Sequence, residues 1–391
     1  MAFTFLNYID KAISFAMPLL VLYILKDIVL YNNIEVVFSY ANIIVVIADL
    51  GIRIFFLYDY GHQPGEEQYG YTQRVKTYFN LSFLFYWVLS VVLCLTLNKL
   101  PVYGILMPFI CIRTLLMLFI NFFSVYYRLT DKPKHVLYYS IIINVLSIVL
   151  FLGSFKFFHS INLWWFFGVQ MVFTLLYMVY GFKFFSVDNI KKGYNYIAVA
   201  LKYSWPLIVN ILLLTFINNY GKIYAFKNLP EESMFTFSYV LRIGMIVQMA
   251  HASIMGYYAK SIYANKSNKV DYKVYKIYNV SIGMAVFLAI AALYVVNLFH
   301  IIKKIDDFGL VVILFVYLLL WCQIAYFEQY INKMNKNKLI LLFAVISMVV
   351  YLGMLFANPK PTINYVSVCM IASAIVNLAL VLAFMKKYRL F

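Results

Sequence analysis

A hairpin of two apolar helices near the middle of the sequence decides the fold of this chain. The first arm reads YSWPLIVNILLLTFINNYGKIYAF (203–226), and the second reads MFTFSYVLRIGMIVQMAHASIMGYYAKSIY (234–263). The residues NLPEES (228–233) form a short turn between them. Each arm is long enough to cross a bilayer as a helix, which takes roughly 20 residues. We therefore expect a helical hairpin in a membrane.

Polar and charged side chains interrupt these otherwise apolar arms. Such groups are expensive in hydrocarbon, and at this density they face a protein interior or a watery cavity. The residues concerned are Asn210, Asn218, Asn219, Lys222, Arg242, Gln248 and His251. We expect them to line a cavity whose other wall comes from the N-terminal half of the chain.

The composition is that of a membrane protein throughout. Of 391 residues, 65% are hydrophobic and 12% are charged, against about 45–50% and about 25% in soluble domains. Long continuous apolar runs predict helices rather than barrel strands. Twelve spans are predicted, at 4–25, 34–58, 78–98, 101–127, 136–157, 162–185, 203–226, 233–259, 276–300, 308–331, 338–357 and 363–385. The short loops between them leave no room for a soluble catalytic domain.

Lysine and arginine set the orientation of the spans, because cytoplasmic loops are enriched in both. With a cytoplasmic N-terminus, 20 of the 32 basic residues lie on the cytoplasmic side, seven lie on the other side, and five lie within spans. We therefore predict a multi-pass protein of the bacterial cytoplasmic membrane with both termini in the cytoplasm. The same distribution explains the net charge of +17 as topogenic, so nucleic acid is not expected as a partner.

The two halves of the chain share a short sequence motif at corresponding positions. The tripeptide FSY at 38–40, near the start of span two, recurs at 237–239, near the start of span eight. An internal repeat of this kind is typical of transporters. We predict an all-α protein with two pseudo-symmetric six-helix lobes, 1–192 and 193–391, around a central cavity.

Charged residues within the N-terminal spans are candidates for the site. In span two, Asn42, Asp49 and Arg53 share one stripe, and the i,i+4 spacing lets Asp49 and Arg53 pair. That pair either seals two helices or lines the cavity, where Arg53 can meet an anion. Lys11 in span one either lines the cavity or extends to the headgroups.

Arg113 lies about midway along span four, where an arginine costs roughly 3 kcal/mol on insertion scales. Either a watery cavity or a structural pair with Asp49 offsets that cost. Arg242 in span eight lies deeper than Lys222 of span seven. Bases within the predicted spans outnumber the acids Asp10, Asp49 and Glu328, so the intramembrane charge favours an anionic substrate.

The other polar residues of the central hairpin have two interpretations each. Asn210, Asn218 and Lys222 follow one broad side of span seven, and Lys222 is either a cavity residue or an anchor at the membrane interface. Gln248 and His251 share a face that points away from Arg242 at helical spacing. His251 is either a hydrogen-bonding group between helices or a proton relay.

Motifs of catalysis are absent from the sequence. There is no P-loop, dinucleotide fingerprint, HExxH, GxSxG or CxxC pair. The four cysteines lie apart in apolar runs, without metal-ligand spacing. We therefore expect no enzyme, no metal site and no cofactor.

Four short motifs stand out in the sequence: DLG (49–51), SWPLIVN (204–210), NNYGKIY (218–224) and SYVLRI (238–243). With the twelve predicted spans, they resemble the Wzx-type polysaccharide flippases of the multidrug/oligosaccharidyl-lipid/polysaccharide exporter superfamily, which also holds the MATE drug exporters. Members commonly have an acid–base pair late in span seven, where this chain has Asn218 and Asn219 for the acid and Lys222 for the base. Arg242 matches a recurrent basic position early in span eight.

The resemblance implies a flippase that works by alternating access through a cationic cavity. The implied substrate is undecaprenyl-pyrophosphate carrying an O-antigen or capsule repeat unit, and other polysaccharide assembly proteins are implied partners. Arg53, Arg113 and Arg242 would bind the pyrophosphate, because arginine contacts to phosphate are charge-assisted and often bidentate. H⁺ or Na⁺ would drive transport through Asp49 or His251.

Other functions remain open. A cation-coupled drug exporter of the same fold would use intramembrane carboxylates for a cationic substrate. A membrane polymerase, ligase or acyltransferase would need a large outside loop with catalytic residues, and none is predicted. A non-transporting scaffold would have no use for arginines in the middle of spans.

Overall fold

The computed structural model describes residues 2–49, 68–97, 101–129, 133–158, 162–182, 187–264, 267, 269–299, 305, 307–334 and 336–390. Within those residues the chain forms twelve α-helices and no strand, which confirms the predicted all-α fold. The helices are α1 (Ala2–Leu25), α2 (Ile28–Ala48), α3 (Gln68–Leu97), α4 (Pro101–Leu129), α5 (Pro133–Phe158), α6 (Leu163–Phe182), α7 (Val187–Asn228), α8 (Glu231–Ala264), α9 (Tyr272–Leu298), α10 (Phe308–Lys333), α11 (Asn337–Ala357) and α12 (Ile363–Lys387).

Eight of the described helices, α2, α4 and α7 to α12, are long and apolar enough to cross a membrane. The remaining four carry shorter apolar stretches. The chain is therefore a multi-pass membrane protein. The predicted starts are wrong by more than five residues at three helices: α2 begins at Ile28 rather than at 34, α3 begins at Gln68 rather than at 78, and α7 begins at Val187 rather than at 203.

The early start of α2 has a local cause. Lys26 ends α1 in the left-handed region, with φ 54°, and its N–H donates to the Leu22 carbonyl at 2.9 Å. Asp27 Oδ1 then accepts the Leu30 N–H at 2.9 Å. A side-chain oxygen that accepts from the first turn caps a helix. The connection therefore takes only two residues, and the polar residues that follow it become helical.

Contacts divide the chain into two compact units. The first comprises residues 1–17 and 33–212, and the second comprises residues 18–32 and 213–391. The boundary between lobes at 192 and 193 stays a prediction.

In the first unit, α4 packs against α3, α5 and α6. Aromatic rings fill the contact between α3 and α4: the Phe79 centroid lies 3.9 Å from that of Phe122 and 5.5 Å from that of Phe119. Between α4 and α6, Phe109 stacks on Phe167 at 5.2 Å. This packing fixes the face of α4 that carries Arg113.

In the second unit, α10 packs against α8 and α12, while α9 lies on α8 and α11 lies on α12. Two glycines let helices approach closely. A Cβ added at Gly244 of α8 would lie 2.3 Å from Leu318 Cδ1 of α10, and one added at Gly221 of α7 would lie 2.9 Å from Phe237 Cζ of α8. Small residues at such crossings are common between helices in membranes.

Candidate functional site

Arg113 lies near the middle of α4 in the first unit, and side chains of α2 and α6 contact its guanidinium. Its Nη1 donates to Gln170 Oε1 of α6 at 3.2 Å. Its Cζ lies 4.3 Å from the centroid of the Phe38 ring of α2, which is a cation–π contact. Arg113 is half-buried and Gln170 is buried. A cation is thus held in position, by an aromatic face and a neutral amide, inside the membrane-spanning part of this unit.

Aromatic rings also fix the position of Phe38. Its centroid lies 6.4 Å from that of Phe166 and 6.3 Å from that of Phe167, both on α6. Such edge and tilted pairs are favourable beyond the area they bury. α2, α4 and α6 therefore meet around the guanidinium of Arg113.

α2 brings two carboxylates into the interior of the first unit. Glu35 is 0% exposed and Asp49 is 5% exposed. Asn42, on the same helix, is half-buried. Arg53 lies outside the described residues, and the side chain of Lys11 is likewise outside the description, so their predicted roles stay predictions.

α7 places its polar residues in two units. Asn210, in the first unit, is buried, and its Oδ1 accepts no hydrogen bond from the described residues. Asn218, in the second unit, donates Nδ2 to the Leu214 carbonyl at 3.0 Å and accepts the Tyr317 hydroxyl of α10 at 2.6 Å. Lys222, one turn further along, is buried at 9% exposure. The asparagine therefore joins α7 to α10.

Arg242 of α8 is only 3% exposed, although it is an arginine. Gln248, further along the same helix, is half-buried. Nine residues separate Arg242 from His251, which puts the two on opposite sides of the helix at 100° per residue. Arg242 and His251 therefore face different surroundings.

His251 belongs to a chain of hydrogen bonds that joins three helices. Its Nδ1 lies 2.7 Å from the Tyr278 hydroxyl of α9, and that hydroxyl donates to the Cys322 carbonyl of α10 at 2.7 Å. The hydroxyl has one hydrogen, so Nδ1 of His251 carries the hydrogen of the first bond. The ring also makes an edge contact with Trp321 at 5.2 Å. This geometry is that of a contact between helices.

A third carboxylate is buried in the second unit. Glu328, in the last two turns of α10, is 8% exposed, and its Oε1 accepts no hydrogen bond from any residue that the structure describes. Lys333, the nearest base along α10, is engaged elsewhere, because its Nζ donates to the Ser267 carbonyl at 2.6 Å. Glu328 is therefore a carboxylate in a membrane-spanning helix without a compensating base among the described residues.

Several residues of these sites carried no strong sequence signal. Glu35 lies at the start of the predicted span 34–58, where a carboxylate is no sign of burial. Gln170 could have been found, since it is the one amide within the apolar run of α6. Phe38 and Tyr317 could not, because aromatic residues make up 20% of the chain.

Comparison with known proteins gives a fold. No family model and no curated protein matches the chain. A solved structure described as the outward-facing conformation of a multidrug resistance MATE family transporter of the MOP superfamily is similar to it, with a TM-score of 0.59 and 12% identity over 99% of this chain and 93% of the other. A second, described as MATE in complex with Br-NRF, has a TM-score of 0.43 and 14% identity over 98% and 96%.

The first of these likenesses identifies the fold. The described part of the chain has a fold similar to that of a MATE family transporter of the MOP superfamily. At 12% identity the likeness carries the fold alone. A substrate must be argued from this chain's own residues.

Proposed function

We propose that the protein is a membrane exporter that moves small organic cations by alternating access. The observation that carries the proposal is the set of three buried carboxylates, Glu35, Asp49 and Glu328, in a fold similar to that of a multidrug resistance transporter. Carboxylates are costly in hydrocarbon, and they are retained where they bind a cation or a proton. Such groups can bind an organic cation and then exchange it for H⁺ or Na⁺.

The charge balance of the described interior does not decide between a cation and an anion. Among the described residues, the buried acids are Glu35, Asp49 and Glu328, and the buried bases are Lys222, Arg242 and His251. Buried acids and bases are therefore equal in number, and the half-buried Arg113 adds a fourth base. The proposal rests on the buried carboxylates and the fold rather than on the net charge.

A drug-accumulation assay tests this proposal. Cells that produce the protein should accumulate less of a fluorescent monovalent organic cation, such as ethidium, than cells with an empty vector. Glu35→Gln should remove most of that difference, because the substitution deletes a buried negative charge and keeps the size of the side chain. Glu231→Gln is the matched control, since Glu231 is exposed at the start of α8. Equal accumulation with and without the wild-type protein, for a panel of such cations, would overturn the proposal.

A lipid-linked oligosaccharide flippase is the second candidate. Arg113, held over Phe38 and bonded to Gln170 in the middle of α4, is the observation that favours it. The motifs that resemble Wzx-type flippases support the same candidate. The substrate would be undecaprenyl-pyrophosphate with an O-antigen or capsule repeat unit, and other polysaccharide assembly proteins would be partners. Restoration of surface polysaccharide in a flippase-deficient strain, and its loss in Arg113→Ala, would support this candidate over the first.

Orientation and coupling are part of the proposal. The excess of basic residues on one side supports a location in the bacterial cytoplasmic membrane with both termini in the cytoplasm. A reporter that is active only in the cytoplasm, fused after residue 391, should be active. Transport should depend on a gradient of H⁺ or Na⁺, with Asp49 or His251 as the coupling group. Collapse of each gradient separately identifies the ion.

A further inference from the structure

Three separate segments meet at one end of the second unit. The α8–α9 connection bonds to the C-terminal tail, where the Val270 N–H donates to the Leu390 carbonyl at 2.7 Å. The same connection bonds to the end of α10 through Lys333 Nζ and the Ser267 carbonyl, at 2.6 Å. Two hydrogen bonds thus tie the α8–α9 connection to the end of α10 and to the tail.

Backbone hydrogen bonds give the C-terminal tail a defined conformation. The Leu390 N–H donates to the Met385 carbonyl at 3.0 Å, and the Arg389 N–H donates to the Lys386 carbonyl at 3.1 Å. Arg389 adopts the left-handed conformation, with φ 51°, which turns the chain after α12. Leu390 is buried at 3% exposure. Arg389 is therefore held at a fixed place on the surface.

The surface made by these segments is strongly basic. Eight described bases there are exposed: Lys269, Lys273, Lys276, Lys336, Lys338, Lys386, Lys387 and Arg389. The described acid among them is Asp271, whose Oδ1 accepts the N–H groups of Lys273 and Val274 at 2.9 and 3.3 Å as the cap of α9. Its charge is thus partly committed to the helix end, and the positive charge dominates. We call these eight bases the basic surface.

Aromatic residues place the basic surface at the level of lipid headgroups. Tyr272, at the first turn of α9, is 77% exposed, and Tyr388 is 41% exposed with its ring 4.4 Å from that of Phe384. Tyrosine is enriched where a membrane-spanning helix meets the interface. α9 and α11 begin here and α12 ends here, so the lysines flank the apolar spans directly.

We propose that the basic surface binds the phosphate headgroups of anionic phospholipids. Each Lys or Arg near an anionic membrane surface contributes about 1 kcal/mol, which is a factor of about five in affinity. Exposed tyrosines at headgroup depth favour lipid over an acidic soluble partner. The inference goes beyond the proposed function and does not depend on what the protein transports.

The test compares two triple variants of the purified full-length protein in neutral detergent. Lys386→Gln, Lys387→Gln and Arg389→Gln together neutralise part of the basic surface. The control neutralises three exposed lysines of the second unit that lie at other helix ends: Lys26→Gln, Lys227→Gln and Lys360→Gln. Binding is measured by energy transfer from tryptophan to pyrene-labelled phosphatidylglycerol, with pyrene-labelled phosphatidylcholine as the neutral lipid.

The expected result has three parts. The wild-type protein and the control bind phosphatidylglycerol with affinities within about threefold of each other, and the tail variant binds it about 100-fold more weakly, from three factors of about five. Binding of phosphatidylglycerol falls with added salt, because screening shortens the range of the interaction. Phosphatidylcholine binds all three proteins equally weakly.

Three outcomes overturn the inference. The first is equal loss in both triple variants, and the second is equal affinity for the two lipids. The third is binding of a poly-glutamate peptide in preference to phosphatidylglycerol, which would assign the basic surface to an acidic protein. If the tail variant fails to fold, Lys273→Gln with Lys336→Gln and Lys338→Gln replaces it, and the same 100-fold loss is expected.

Discussion

Removal of one hydroxyl should loosen the contact of three helices in the second unit. Tyr278→Phe keeps the ring, which is fully buried, and deletes the oxygen that joins His251 to the Cys322 carbonyl. Two hydrogen bonds of 2.7 Å are lost. The cavity left behind is only that of one oxygen atom, so the lost hydrogen bonds dominate the change in the free energy of unfolding.

The magnitude follows from those two bonds. Side-chain hydrogen bonds between helices in membranes contribute on average about 0.6 and at most about 1.7 kcal/mol each. The Nδ1–H of His251 is also left buried without its acceptor, which moves the total towards the upper end. We expect the free energy of unfolding to fall by about 2 kcal/mol, which is about 30-fold in the equilibrium constant.

The assay is unfolding of the purified protein in detergent, followed by near-ultraviolet circular dichroism. Tyr294→Phe is the matched control, because Tyr294 lies on the same helix and is 67% exposed. It should change the free energy of unfolding by less than about 0.5 kcal/mol. A double-mutant cycle with His251→Ala should give a coupling energy of about 1 kcal/mol. If Tyr278→Phe costs no more than the control, the hydrogen-bond chain does not stabilise the second unit.

Other predictions concern single side chains. Gly244→Ala should destabilise the protein by about 1–3 kcal/mol, since the new Cβ overlaps Leu318. A Cβ at Gly353 has nothing within 4 Å, so Gly353→Ala should stabilise α11 by up to about 1 kcal/mol. Thermal unfolding of both variants measures these changes, and equal effects would refute the close approach of α8 and α10 at Gly244. Glu328→Leu should raise the free energy of unfolding by about 1–3 kcal/mol, because a buried carboxylate without a partner is costly. Export by the same variant should fall. A loss of stability would mean that the carboxylate has a partner. Gln170→Leu should weaken the positioning of Arg113 and lower transport with little loss of expression, which uptake and membrane yield measure together.

The length of apolar runs predicted the helical architecture, because only a helix satisfies its own backbone within a bilayer. Twelve runs gave twelve helices among the described residues. Boundaries failed where polar residues continue a helix, as at α2 and α7. The cap at Asp27 is one example: its hydrogen bond to the Leu30 N–H starts α2 in a stretch that reads as a loop.

The contacts of the candidate site depended on tertiary packing that a sequence pattern does not contain. Arg113 and Gln170 are 57 residues apart, and Asn218 and Tyr317 are 99 apart. Periodicity predicts that Arg242 and His251 lie on different faces of α8, because the helix alone sets that angle. The partner of each side chain, in contrast, is set by which helices cross, and that follows from the packing of many apolar residues at once.

Transport by the purified protein tests the central claim most directly. The protein is reconstituted into liposomes with an imposed H⁺ or Na⁺ gradient, and uptake of a fluorescent organic cation is compared with translocation of a fluorescent pyrophosphate-linked lipid oligosaccharide. The account predicts gradient-driven uptake of the organic cation, most of which is lost in Glu35→Gln and preserved in Glu231→Gln. Translocation of the lipid oligosaccharide without transport of any organic cation would contradict it.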